Sequence, residues 1–169
     1  MTTAKWRNTS PVLQQVADAI NSIKAQIGAG SNFHLAASAD NVTASNASDA
    51  TSLLTLTNNI ITVYRAHLED PVYVEGGALS HKTADTVPAL TIATDTASCI
   101  TALNAIKADY NTHRASTTYH YNADATNTVT SADATDQASA ITLANEIKTD
   151  LNAHIASAPT GYSIRMVSA

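Results

Sequence analysis

Six histidines hold positions where their type and spacing could do chemistry: His34, His67, His81, His113, His120 and His154. An imidazole can bind a metal, move a proton, or interact with the carbonyl end of a helix. Three of the six close near-copies of one segment, "TNNIITVYRAH" at 57–67, "LNAIKADYNTH" at 103–113 and "ANEIKTDLNAH" at 144–154. The other three open a second family of segments, "HLAASADNV" at 34–42, "HKTADTV" at 81–87 and "HYNADATNTV" at 120–129. A metal reading selects His81 with Asp85 and His120 with Asp124, each pair four apart and able to face one site if helical, with His113 near in sequence. Against it, Asp40 stands six after His34, and the chain has no Cys pair, no HExxH and no closed ligand spacing. Histidine in a last helical turn can bond a free carbonyl and favours the negative end of the helix dipole. A repeat inherits that device in every copy. The expectation is therefore helix-end histidines with no metal and no cofactor, and a metal-dependent protein is the least favoured reading.

Other catalytic patterns are missing from the sequence. It has no Gly-rich phosphate loop and no GxSxG. Cys99 is the single cysteine and falls inside a helical period, which suits a small buried hydrophobe better than a nucleophile. Repeated Asp, Asn, Ser and Thr positions read as polar groups tying connections to helices. Tyr119 and Tyr121, around His120, read as an aromatic lid on the bundle. Catalysis needs one asymmetric constellation, whereas a repeat supplies spacing and surface. No enzymatic activity is expected.

The elements that position the histidines follow from the repeat. Asp49 to His67, Asp95 to His113 and Asp136 to His154 align without a gap. Ser52, Ser98 and Ser139 coincide, as do Thr55, Thr101 and Thr142; Asn58, Asn104 and Asn145; and Ile60, Ile106 and Ile147. Cys99, Leu103, Ile106, Tyr110 and His113 are spaced four, three, four and three, which is a helical stripe. Ser48, Thr94 or Thr135 can cap the first turn, each followed by an aspartate that suits the positive helix end. The spacing predicts helices over 49–67, 95–113 and 136–155. A partial copy, "INSIKAQI" at 20–27, predicts another over 11–27, begun at Pro11 and ended by Gly28 and Gly30. The fold class is thus all-α, a bundle of about four helices built from a repeat of roughly 41–46 residues. Its connections are too long for plain bundle loops and, because they also repeat, should be ordered, with extended chain lying along the bundle. The organisation is an N-terminal arm over 1–10, a bundle over 11–157 with units 11–30, 31–68, 81–114 and 120–157, an insert at 69–79 that reads as a short strand or exposed arm, and a strand-like docking tail at 158–169.

Alanine and threonine make up a third of the 169 residues, charged residues 14%, and the formal net charge is -5. Without a basic run the chain lacks what counterion release on a nucleic acid needs. No stretch approaches eighteen apolar residues and the opening "MTTAKWRNTSPVLQQ" has no leader-like apolar run, so no membrane span is expected, and synthesis is expected in the cytoplasm.

The stretch from "ITALNAIKADYNTH" through "YHYNADATNTVTSADATDQASAITLANEIKTDLNAH" resembles Ala/Thr-rich helical-repeat proteins of tailed bacteriophages. The resemblance covers about 31–157 and is best from 94 onward. It implies a non-enzymatic structural protein of the virion, made in the host cytoplasm and bound in many copies as a capsid decoration. A collar or tail position and a host-surface or glycan-binding module are the alternatives. The partner expected is another virion protein, foremost the major capsid protein, with self-association as the other outcome. Low charge and many small side chains fit a protein that gains stability from its neighbours. The expected contact residues lie outside the repeat: Trp6 in the arm; Val72, Tyr73 and Val74 ahead of Gly76; and Ile164, Met166 and Val167 in the tail.

Overall fold

A computed structural model describes residues 41–69, 86–120 and 123–157, together with Val16. The expected helix over 11–27 (Val16 apart, which is helical), the N-terminal arm, the insert at 69–79 (Glu69 apart) and the tail at 158–169 lie outside the described residues. Within the described residues the fold is an all-α bundle of three long helices, with no strand: α1 (Ala50–Glu69), α2 (Thr96–Ala115) and α3 (Gln137–Ile155).

Each helix begins with the same local device. Asp95 accepts from the backbone N–H of Ser98 at 2.7 Å, while the Ser98 hydroxyl accepts from the Asp95 N–H at 2.9 Å. Asp136 with Ser139 and Asp49 with Ser52 repeat both bonds. The aspartate is itself the cap, one residue later than the Ser/Thr expected from the sequence. Its carboxylate can satisfy a free N–H and also meet the helix dipole, which a hydroxyl does less well.

The three helices run parallel. Their last-turn histidines meet at one point, and the chain returns along the bundle between them. The segment 42–47 pairs with α3 in reverse order: Asn152 bonds both the N–H and the C=O of Val42, and Asn145 does the same for Ala47. Asn111 clamps Val129 and Asn104 clamps Ala134 in the same way on α2. Asn58 of α1 clamps Ala93. The scheme is cyclic, because each helix holds the chain leading into the next and α3 holds the chain leading into α1. A second set of bonds comes from the helix being entered: Asn59 accepts from Thr43 and Ala44, and Glu146 from Thr130 and Ser131. These two returning segments therefore lie in grooves between neighbouring helices. Their buried backbone groups find side-chain partners there, as a buried loop requires.

Inside, the stripe spaced four and three is a heptad seam, which keeps one face of each parallel helix toward the others. Its layers are Leu53, Cys99 and Ala140; then Thr57, Leu103 and Ala144; then Ile60, Ile106 and Ile147; then Tyr64, Tyr110 and Leu151, all fully buried. Cys99 is thus a core residue, as its period indicated. Val42, Ala47, Ala93, Val129 and Ala134 plug the grooves from outside. The tyrosine layer is stitched sideways. The Tyr64 hydroxyl donates to Asp109 at 2.5 Å, and that of Tyr110 to the carbonyls of Asn127 and Asp150. Burial pushes the Tyr110 hydroxyl far above its ordinary pKa, so it stays a donor.

Candidate functional site

The next layer of the seam is histidine. His67, His113 and His154 occupy equivalent positions in the last turns of three parallel helices, so the seam that brings the isoleucines together brings these rings together too. They are 0%, 3% and 0% exposed. A fourth ring arrives from the connection after α2. The Asp124 N–H donates to the Arg114 carbonyl at 2.8 Å, and the Arg114 guanidinium bonds back to the Asp124 carbonyl. This clip folds the loop onto the helix end and carries His120, fully buried, over the other three.

One ring nitrogen from each of His67, His113, His120 and His154 lies within 4.8 Å of the other three. Nε2 of His67 stands 3.0 Å from Nε2 of His113. Ring centroids stand 4.5 Å apart for His113 and His120, 4.9 Å for His120 and His154, and 5.2 Å for His67 and His154. The planes of these pairs are within about ten degrees of perpendicular, so the rings meet edge to face around a common centre rather than stacking. Tyr119 stacks on His113 from outside, at 6.1 Å.

Oxygens behind two of the rings fix their tautomers. His120 Nδ1 stands 3.0 Å from the Ser116 carbonyl, which can only accept, so that nitrogen carries the hydrogen. His154 Nδ1 donates to Asp124 Oδ2 at 2.8 Å. In a neutral ring so held, Nε2 bears the lone pair. The Nε2 atoms of His67 and His113, facing each other at 3.0 Å, cannot both carry hydrogen. Asp124 is itself fully engaged: Oδ1 accepts from the Thr126 and Asn127 N–H groups and the Thr126 hydroxyl, and Oδ2 from Asn127 Nδ2 as well as His154. Burial acts to raise its carboxyl, but those bonds outweigh burial and hold it well below the ordinary range. It is a buried carboxylate that orients a histidine.

Of the candidate metal residues read from the sequence, the structure brings His113, His120 and Asp124 to one place. His120 and Asp124 lie on the connection after α2, and neither is in a helix. Asp124 bonds the ring of His154, so spacing four selected the right residues for a different geometry. His67 and His154, read only as helix ends, belong to the same cluster. Their shared slot on the seam was the signal, legible once the helices are known to be parallel. His34, His81, Asp85, Trp6, Val72, Tyr73, Val74, Ile164, Met166 and Val167 lie outside the described residues.

Compared with protein-family models, curated proteins and solved structures, the chain matches none. No helix among the described residues is long and apolar enough to cross a membrane.

Proposed function

We propose that this chain is a non-enzymatic structural protein of a tailed-phage virion, bound in many copies as a capsid decoration. The observation that supports this most is where the repeated polar groups go. Asn58, Asn104 and Asn145 bond the chain's own backbone, and the aspartates at the helix starts cap their own helices. Residues that recur in threes serve the architecture, which is the economy of a spacer and not of a catalyst. The small-residue repeat and its phage resemblance supply the setting. On this reading the segment 11–27 adds a fourth helix from a degenerate copy of the 41–46-residue repeat. Trp6, Val72, Tyr73, Val74, Ile164, Met166 and Val167 then make the contacts to the major capsid protein.

Immuno-electron microscopy of purified particles, with antibody raised against the chain, tests the proposal. Regular labelling over the capsid faces is the expected result. Labelling confined to the collar or tail moves the protein to that position. Particles without the chain by mass spectrometry, together with binding of the purified chain to host cells or glycans, overturn the reading in favour of a free recognition module.

A further inference from the structure

We propose that His67, His113, His120 and His154 form a structural metal centre for one divalent first-row transition ion, zinc foremost, which locks the C-terminal ends of the three helices to the loop carrying His120. The inference holds wherever the protein acts, and four features converge on it.

The first is distance. Four nitrogens at zinc-bond length stand about 3.3 Å apart around a tetrahedral ion. Here the four nitrogens all lie within 4.8 Å of one another, and Nε2 of His67 and Nε2 of His113 stand 3.0 Å apart, so small ring movements reach that geometry. The perpendicular rings suit it, because four imidazoles sharing one ion must splay and cannot stack. The second is orientation. His154 is held by the Asp124 carboxylate and His120 by the Ser116 carbonyl, the two acceptors that commonly hold metal-bound histidines from behind.

The third feature is the field. Parallel helices bring three C-terminal ends, each equivalent to about half a negative charge, to the same end of the bundle. An antiparallel bundle would cancel that field at each end. Together with the buried Asp124 carboxylate it offsets the charge of a divalent cation among neutral ligands. The fourth is donor type. Imidazole selects zinc, copper, nickel and iron over magnesium and calcium, which prefer oxygen. Four protein ligands also leave a tetrahedral ion no open position, so the centre is structural and holds no reactive water. Because the ligands come from three helices and a loop, an unfolded chain offers no comparable site, and binding adds to folding stability.

The test is elemental analysis and thermal melting of the full chain, expressed without a polyhistidine tag, stripped with a strong chelator and then reloaded with zinc, cobalt or magnesium separately. We expect one zinc per chain, a melting midpoint that falls by about 10 °C on stripping and recovers with zinc but not magnesium, and the visible absorption of tetrahedral cobalt. His120→Ala removes the ligand least involved in the helical core. It should retain helicity and lose stoichiometric zinc, with stripping no longer changing its melting midpoint. A wild-type protein that takes up no transition ion and melts alike before and after chelation overturns the proposal, leaving a hydrogen-bonded histidine core. Stoichiometric zinc that survives unchanged in both His120→Ala and His154→Ala also overturns it, by placing the ion elsewhere.

Discussion

The two ends of the bundle solve the same problem in opposite ways. Where the helices start, each is capped by an aspartate and a serine three residues apart, exposed, and repeated three times with almost the same distances. Where they finish, the rings of all three helices and one loop are buried against each other, and a carboxylate of that loop holds the ring of His154. The first end is three local devices, and the loss of one leaves two intact. The second is a single device with contributions from four places, and the loss of one disturbs all. Parallel helices make the difference, because only they gather like ends together.

The largest expected effect probes that contrast at the buried end. Asp124→Ala removes the acceptor of the buried His154 ring and the anchor of the more exposed Thr126 and Asn127 at once. A loss of about 3 kcal/mol or more is expected, measured by urea unfolding, while Asp95→Ala should give only a small shift of the midpoint. If the two variants lost the same stability, the buried end would be as modular as the exposed one.

The middle of the bundle should behave like the starting end. Asn58, Asn104 and Asn145 make the same pair of bonds to Ala93, Ala134 and Ala47, half-buried in each case. Each Asn→Ala should cost about 2 kcal/mol, for two backbone groups left without a partner, and the three losses should agree within error. The next level breaks the symmetry. Asn111 and Asn152 clamp Val129 and Val42, but the corresponding positions of α1 and its returning chain are Arg65 and Pro88. Proline has no N–H to give. Arg65→Asn can therefore restore at most the bond to the Pro88 carbonyl, which already accepts from Leu90, and a gain equal to the loss from Asn111→Ala would show that the returning chain at 86–94 sits otherwise than the other two.

This division explains what could be read from the sequence. The helices, their register, the core stripe and the place of Cys99 in it follow from periods within single segments. The spacing also puts Asp49, Asp95 and Asp136 at the positive helix ends, although it points to the preceding Ser or Thr as the cap, one residue too early. The histidine cluster did not follow, because it depends on the helices being parallel. Connections this long could cross back over a helix of about 30 Å in either order. Once Val42 and Val129 are seen to run backwards along α3 and α1's neighbour α2, the equivalent histidines have to meet. The loop clip between Arg114 and Asp124 has no repeat to announce it, so the convergence of His120 required the structure.

A smaller effect separates two carboxylates in one slot. Asp109 accepts the Tyr64 hydroxyl, whereas the equivalent Asp150 is pushed up from 3.8 to about 6 by burial first, and then by the negative charges of Glu146 and Asp124. A raised carboxyl binds a proton more tightly in the folded chain than in the unfolded one. Its contribution is favourable below about pH 4 and is lost as pH rises through 6. After solvent screening of this half-buried group, the penalty at pH 7 is about 1 kcal/mol. Glu146 acts in the other direction. Burial tends to raise it, but the bonds from Thr130 and Ser131 prevail and lower it from 4.5 to about 2, so its stabilisation is complete above about pH 4.5 and fades as pH falls toward 2. The two together put a stability maximum between about pH 4 and 5 in the part of the curve they control. Asp150→Asn should gain about 1 kcal/mol at pH 7 and nothing at pH 3.5, as read from urea midpoints across that range. An equal gain at both pH values would mean that Asp150 is costly for its packing and not for its charge.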